Sequence, residues 1–166
     1  LGDVYKRQML AQMLGEDVFL RGVSQYLKRH LYSNTVTKDL WDGISEASGL
    51  DVNAIMANWV LKQGFPVLTV TEGTDSIHVR QNRFLSTGDP TPEEDETLWQ
   101  APLALKTVQD GKATTDMNAM LPGVRETDIP VPDAKNSVWK LNAETIGVYR
   151  VAYSPEHLAK LGKAAA

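Results

Sequence analysis

The sequence contains no cysteine and only three histidines, and these two scarcities exclude more chemistry than any other feature of its 166 residues. Without cysteine there is no disulfide framework, no thiolate metal site and no sulfur nucleophile. His30, His78 and His157 fall on three separate predicted elements, and no pair has the i, i+4 spacing by which one helix presents two metal ligands. Positive charge is not concentrated either. Seventeen Lys and Arg stand against 21 Asp and Glu, a formal net charge of -4, and the basic residues are scattered, so nucleic acid and anionic membrane are not expected partners. No apolar run approaches the roughly 20 residues that cross a bilayer. No Asn-x-Ser/Thr sequon occurs, and residues 1–8 lack the apolar core of a signal peptide, so any leader or anchor would lie outside this sequence. A reducing, cytoplasmic setting is the expectation these absences support.

The common catalytic signatures are missing as well. There is no His-Glu-x-x-His, no Gly-x-Ser-x-Gly and no glycine-rich phosphate loop. The acidic run Glu93-Glu94-Asp95-Glu96 lacks the alternating oxygen ligands and central glycine of a calcium loop, and reads as a solvated loop.

What is present is a change of hydrophobic period. Val52, Ile55, Met56 and Trp59 recur at i, i+3, i+4 and i+7, one face of a helix, whereas Val67, Leu68 and Val70 interleaved with Thr69 and Thr71 form a β-branched run. Between them stand Gly64, placed to end the helix in a left-handed conformation, Phe65, able to fold back on the last turn, and Pro66, which cannot continue a helix. Trp59, Gly64, Phe65 and Pro66 are therefore the residues expected to form a junction between a helical block and a sheet.

Upstream the pattern is helical throughout. A short apolar segment over 9–14 precedes a helix over 16–30 with Phe19, Val23, Tyr26, Leu27 and His30 on one face, acids at its start and bases at its end. His30, in the last turn, reads as a cap or packing residue. Thr37 is the expected N-cap of a second helix carrying Leu40, Trp41, Ile44 and Ala47, closed by Gly49, and Asp51 caps a third over 52–62. Downstream the pattern is strand and turn. Residues 67–71 and 76–85 read as a hairpin with Ile77, Val79 and Phe84 inward. Strands follow over 98–107, with Trp99, Ala101, Leu103 and Leu105 alternating, and over 113–120, 131–132, 138–141 and 148–153. Ser154-Pro155-Glu156 opens a final helix. The fold class is α+β by segment: a helical subdomain, an antiparallel β-sandwich, and the start of a C-terminal helix.

The series Leu14-Gly15-Glu16-Asp17-Val18-Phe19, Gly22, Tyr26-Leu27-Lys28, His30, Thr37, Asp39-Leu40-Trp41, Ser48-Gly49, Asp51-Val52, Met56, Trp59 and Gln63-Gly64-Phe65-Pro66 resembles zinc aminopeptidases of the puromycin-sensitive and aminopeptidase N type. The likeness continues more loosely through Gln81, Trp99, Pro102-Leu103, Trp139-Lys140-Leu141-Asn142, Gly147, Tyr149-Arg150 and Tyr153-Ser154. It implies that 9–64 is the helical end of a thermolysin-like catalytic domain, 65–153 the β-sandwich third domain, and 154–166 the start of a C-terminal helical domain. It implies zinc and peptide substrates for the intact enzyme.

The family's zinc motif, its third ligand glutamate and its Gly-x-Met-Glu-Asn loop all lie upstream of the matching stretch. No catalytic residue and no zinc ligand is expected in this chain. The family's oxyanion-stabilising tyrosine lies ten residues before the leucine that corresponds to Leu10, one position before Leu1. Tyr5-Lys6 is five residues out of register and lacks the Gly-Ala that follows in the family. Residues 1–8 depart from the pattern and are expected to be foreign or unstructured. The alternative to a piece of a zinc aminopeptidase is a stand-alone, non-catalytic β-sandwich binding or scaffold module.

Overall fold

A computed structural model describes residues 2–165. Four helices come first: α1 (Gly2–Leu14), α2 (Glu16–Arg29), α3 (Thr37–Ser48) and α4 (Val52–Leu61). Residues 2–8, expected to be foreign or unstructured, continue the same helix as Met9 and Leu10, whose side chains are buried. Gly15, at φ 82°, breaks α1 from α2 and accepts the first backbone bond of α2 from Phe19 at 3.1 Å. The face of α2 is narrower than the sequence pattern suggests. Phe19, Val23 and Tyr26 are half-buried, but Leu27 is exposed and the one fully buried position is Gly22. A Cβ there would lie 2.6 Å from the Ile44 Cα, so α2 and α3 cross with backbones in contact, and glycine permits the approach.

Thr37 is the first residue of α3, not its cap. The N-cap is Val36, which has no side-chain acceptor, and Asp39 supplies the capping bond instead by accepting from the Val36 N–H at 2.9 Å. Gly49, at φ 72°, closes α3, and Asp51 caps α4 by accepting from the Ala54 N–H at 3.0 Å, both as expected.

The remainder forms three open sheets and a closing helix, an α+β chain. β1 (Phe65–Glu72) and β2 (Ser76–Phe84) make the expected hairpin, Val70 opposite Val79. The segment read as one strand over 98–107 is two, β3 (Ala101–Pro102) and β4 (Leu105–Gln109), because Ala104 adopts φ 42° and breaks the run. The alternation nevertheless holds: Trp99, Ala101, Leu103 and Leu105 are all buried. β5 (Lys112–Asp116), β6 (Met120–Leu121), β7 (Glu126–Pro130), β8 (Val138–Lys140) and β9 (Arg150–Ala152) follow. β7 occupies 126–130 where a strand was expected at 131–132. The sheets run β7-β2-β1-β9, β3-β6 and β5-β4-β8. All pairings are antiparallel except β1 with β9, which is parallel and departs from the purely antiparallel expectation. α5 (Pro155–Ala165) ends the described chain, capped by Ser154 Oγ, which accepts from the His157 N–H at 3.1 Å.

One contiguous core joins helices and sheets: Leu10, Ile44, Met56 and Trp59 belong to the same cluster as Leu68, Ile77, Trp99 and Leu121. The turn after β8 is pinned to the kink at Ala104. Tyr149 shares its hydroxyl between the Pro102 and Leu103 carbonyls, and burial pushes this phenol well above its ordinary range.

Candidate functional site: the helix-to-sheet junction

α4 presents Trp59 from its last turn because the i, i+3, i+4, i+7 stripe faces the core, and all four of its members are buried. The Trp59 indole Nε1–H donates to the Gln100 carbonyl at 3.0 Å, and its ring lies 5.9 Å from that of Trp99. One residue earlier, the Asn58 amide donates to the Leu98 carbonyl at 2.7 Å. The end of α4 thus grips residues 98–100 by two bonds and a ring contact.

From the other side the same segment is held by Gln81 of β2. The inward phase of Ile77 and Val79 continues to this residue, which is fully buried. Its Nε2 donates to the Trp99 and Val124 carbonyls at 3.1 and 2.7 Å, and its Oε1 accepts from the Trp99 N–H at 2.9 Å. Every hydrogen of the amide group is used, the condition for a polar side chain to be buried without penalty. Phe84, expected inward, is instead 45% exposed, and Leu85 takes the buried position.

Gly64 is not the residue that ends α4. The helix stops at Leu61, Lys62 is already extended, and Gly64, at φ 83°, sits at the entry to β1. A Cβ there would come within 2.1 Å of the Phe84 carbonyl oxygen, so the position demands glycine for a close approach as well as for its backbone angle. Phe65 pairs with Phe84 across the hairpin, rings stacked with centroids 5.0 Å apart, and the Arg150 guanidinium lies 5.6 Å above the Phe65 ring. Pro66 is buried opposite Arg83.

Arg83 and Asp95 extend the junction in a way the sequence reading missed. Arg83 donates through Nε and a terminal nitrogen to the Gln63 carbonyl at 3.1 and 2.9 Å, and through the other to Glu94 O at 3.0 Å. Asp95, read as one of four solvated acids, accepts from the Arg83 backbone N–H, the Asn82 amide and the Arg125 guanidinium. Burial pushes its carboxyl up, but these donors outweigh burial and hold it below the usual carboxylate range.

Among the described residues no group of three or more histidines, aspartates or glutamates comes together as a metal site. The three histidines remain apart. His30 ends α2 against Tyr26, His78 faces Asp128 and Glu126 across strands β2 and β7, and His157 is buried under α5. Tyr5 is exposed on α1. No described helix is long and apolar enough to cross a membrane.

Residues 5–59 match the model of a family described as the Peptidase family M1 domain. Over these residues the chain is similar to peptidase family M1. The match begins inside the stretch expected to be foreign and ends at Trp59. Similarity to individual proteins named aminopeptidases runs on through the sheets. The chain is 45% identical over 158 residues to Aminopeptidase 2 of Candida albicans, covering 95% of this chain and 16% of that protein. It is 43% identical over 159 residues to the mitochondrial Aminopeptidase 2 of Saccharomyces cerevisiae, with the same coverage of each. It is 40% identical over 160 residues to the puromycin-sensitive aminopeptidase of Caenorhabditis elegans, covering 93% of this chain and 16% of that one. The chain therefore spans about one sixth of the length of these relatives.

Proposed function

We propose that this chain is a piece of a cytoplasmic zinc aminopeptidase that removes N-terminal residues from peptides. In this reading 9–64 supports the catalytic domain, 65–153 is a β-sandwich spacer, and 154–166 opens a C-terminal helical domain. Trp59, Gly64, Phe65 and Pro66 fix the helical block against the sheet at the interdomain junction. The observation that carries it is the unbroken similarity to proteins named aminopeptidases, which crosses from helices to sheets at 45% identity over 95% of the chain. The donor set for a metal is not met within the described residues, so no catalytic step is assigned to them. The chain's own contribution is support. Its partners are the catalytic residues encoded upstream and the C-terminal helices, and its exposed apolar side chains Val4, Leu20, Leu27 and Leu31 are the surface such a neighbour would cover.

The test is to express both the 166-residue chain and the whole polypeptide encoded at the same locus. The whole protein should carry one zinc and release N-terminal residues from peptides in a chelator-sensitive manner, whereas the chain alone should neither retain zinc after dialysis nor hydrolyse aminoacyl substrates. A locus without a zinc motif about a hundred residues upstream of Met9, or a zinc-loaded and active 166-residue chain, refutes the reading.

A further inference from the structure

α2 is apolar on two sides, and the fold uses one of them. Gly22 and Tyr26 meet α3, and Phe19 and Val23 pack on the core. Leu20, Leu27 and Leu31 lie on the opposite side, 53, 58 and 64% exposed, where a surface helix normally carries polar residues. With Ser24 they follow one another at intervals of four, three and four residues, the alternation that lines one helix against another. The hollow on this side, about 300 Å³, is lined by Leu20, Val23, Ser24, Leu27, Lys28 and Leu31. Those six are two overlapping sets of i, i+3, i+4 and i+7, the four-residue hole that receives a knob from a facing helix. Both holes are open among the described residues.

We propose that in the 166-residue chain this face is covered by α2 of a second copy, laid antiparallel about a two-fold axis at Ser24. The face is complementary to itself. Reversing the helix about Ser24 brings Leu20 of the second copy over the hole formed by Ser24, Leu27, Lys28 and Leu31, and the two-fold axis repeats the contact. Leu27 of the second copy comes over Asp17, Leu20, Arg21 and Ser24, a set of the same spacing. The small Ser24 side chain at the crossing lets the two helices approach. Charge sets the direction. α2 begins with Glu16 and Asp17 and ends with Lys28 and Arg29. Arg29 is taken by Glu46, whereas Glu16, Asp17 and Lys28 have no ion-pair partner among the described residues. An antiparallel copy sets acid against base at both ends, and a parallel one sets like against like. The stripe from Leu20 to Leu31 is about 16 Å long, short of a standard interface, so the dimer is reversible rather than permanent. The pairing belongs to the chain on its own, where the neighbours assigned above to the whole protein are absent, and it stands or falls apart from the aminopeptidase reading.

Sedimentation equilibrium of the 166-residue chain over a concentration series tests this. The data should fit a monomer–dimer equilibrium that weakens several-fold between about 0.05 and 0.5 M salt. Leu27→Glu, at an exposed position where circular dichroism should show the fold intact, should raise the Kd at least about a hundredfold, because symmetry removes two covered leucines at once. Direction is read from cysteines added one at a time to a chain that has none. Ser24→Cys should give a disulfide-linked dimer on mild oxidation. Asp17→Cys, whose two copies would stand about 20 Å apart along the axis, should not. A monomer at every concentration, association into larger species, or a dimer indifferent to Leu27→Glu overturns the proposal. So does a failure of Ser24→Cys to cross-link, or cross-linking of Asp17→Cys at the same rate.

Discussion

Removing Trp59 should separate two parts of the molecule that are otherwise one cooperative unit. The side chain is 2% exposed, among the largest fully buried groups, and it reaches from the end of α4 to the Gln100 carbonyl and the Trp99 ring. Trp59→Ala empties a core site at a cost of about 3–5 kcal/mol, a large share of the roughly 5–15 kcal/mol that holds a domain folded. At a few degrees per kcal/mol for a chain of this size, the thermal midpoint should drop by roughly 6–20 °C. Trp59→Phe keeps most of the apolar contact but leaves the Gln100 carbonyl without its donor, about 1–3 kcal/mol, so the two variants should rank Ala below Phe below wild type. Urea unfolding followed by far-UV circular dichroism gives the midpoints and slopes. In a double-mutant cycle with Trp99→Ala, the coupling should be about 0.5–1.5 kcal/mol, the usual range for an aromatic pair. If Trp59→Ala costs less than about 1 kcal/mol, or the two changes are simply additive, Trp59 does not join the helices to the sheet.

Four further outcomes follow from the same geometry. Gly64→Ala places a Cβ on the Phe84 carbonyl and should fray the open end of the β1–β2 hairpin, read as faster exchange of the Phe65 and Phe84 amides. Phe65→Ala, at a half-buried position, should cost less than a fully buried phenylalanine, below about 3 kcal/mol by chemical denaturation, with the zinc content of the restored whole protein retained. Asp95 should make the fold acid-sensitive: its folded carboxyl titrates below the ordinary value of 3.8, so its contribution is present above that value and is lost as pH falls beneath it. Asp95→Asn should flatten the acid limb of a stability-versus-pH curve. The apolar face bearing Leu20, Leu27 and Leu31 should bind a hydrophobic dye or drive self-association of the isolated chain, and a monomeric, dye-silent solution counts against its being a covered surface.

How much of this was legible in the sequence depended on the range of the interaction that decides each feature. The face of α4, the caps at Gly49 and Asp51, the β1–β2 hairpin and the Ser154 cap rest on residues within a few positions of one another, and each stands where the pattern puts it. Ala104 could not be foreseen. Its φ of 42° goes with contacts from some forty residues away, the Tyr149 hydroxyl on the Pro102 and Leu103 carbonyls and the Ala143 N–H on its own carbonyl. Thr37 misled because its residue type suits an N-cap, while the actual bond comes from Asp39, two positions further on.

The junction shows the same division more sharply. Its apolar members were visible because helical and strand periods meet there, but the groups that lock it are polar and distant in sequence. Gln81 did carry a signal. A glutamine in phase with Ile77 and Val79 on a strand is either exposed by a bulge or buried with all its hydrogen-bonding groups satisfied, and the regular β1–β2 register leaves the second case. Asp95 carried none, because four consecutive acids look equivalent until Arg83 and Arg125 select one of them. It follows that the apolar stripe decides that the helices pack on the sheet, whereas Gln81, Arg83 and Asp95 decide in which orientation. A directional donor must meet its acceptor, while a buried leucine tolerates rotation. Gln81→Leu separates the two roles. It should preserve burial and secondary structure but leave the Val124 carbonyl and the Trp99 amide unpaired, loosening the 98–100 segment from both α4 and β2. Faster amide exchange confined to that segment is the expected result, and uniform exchange across the chain would mean that orientation is set by the apolar core alone.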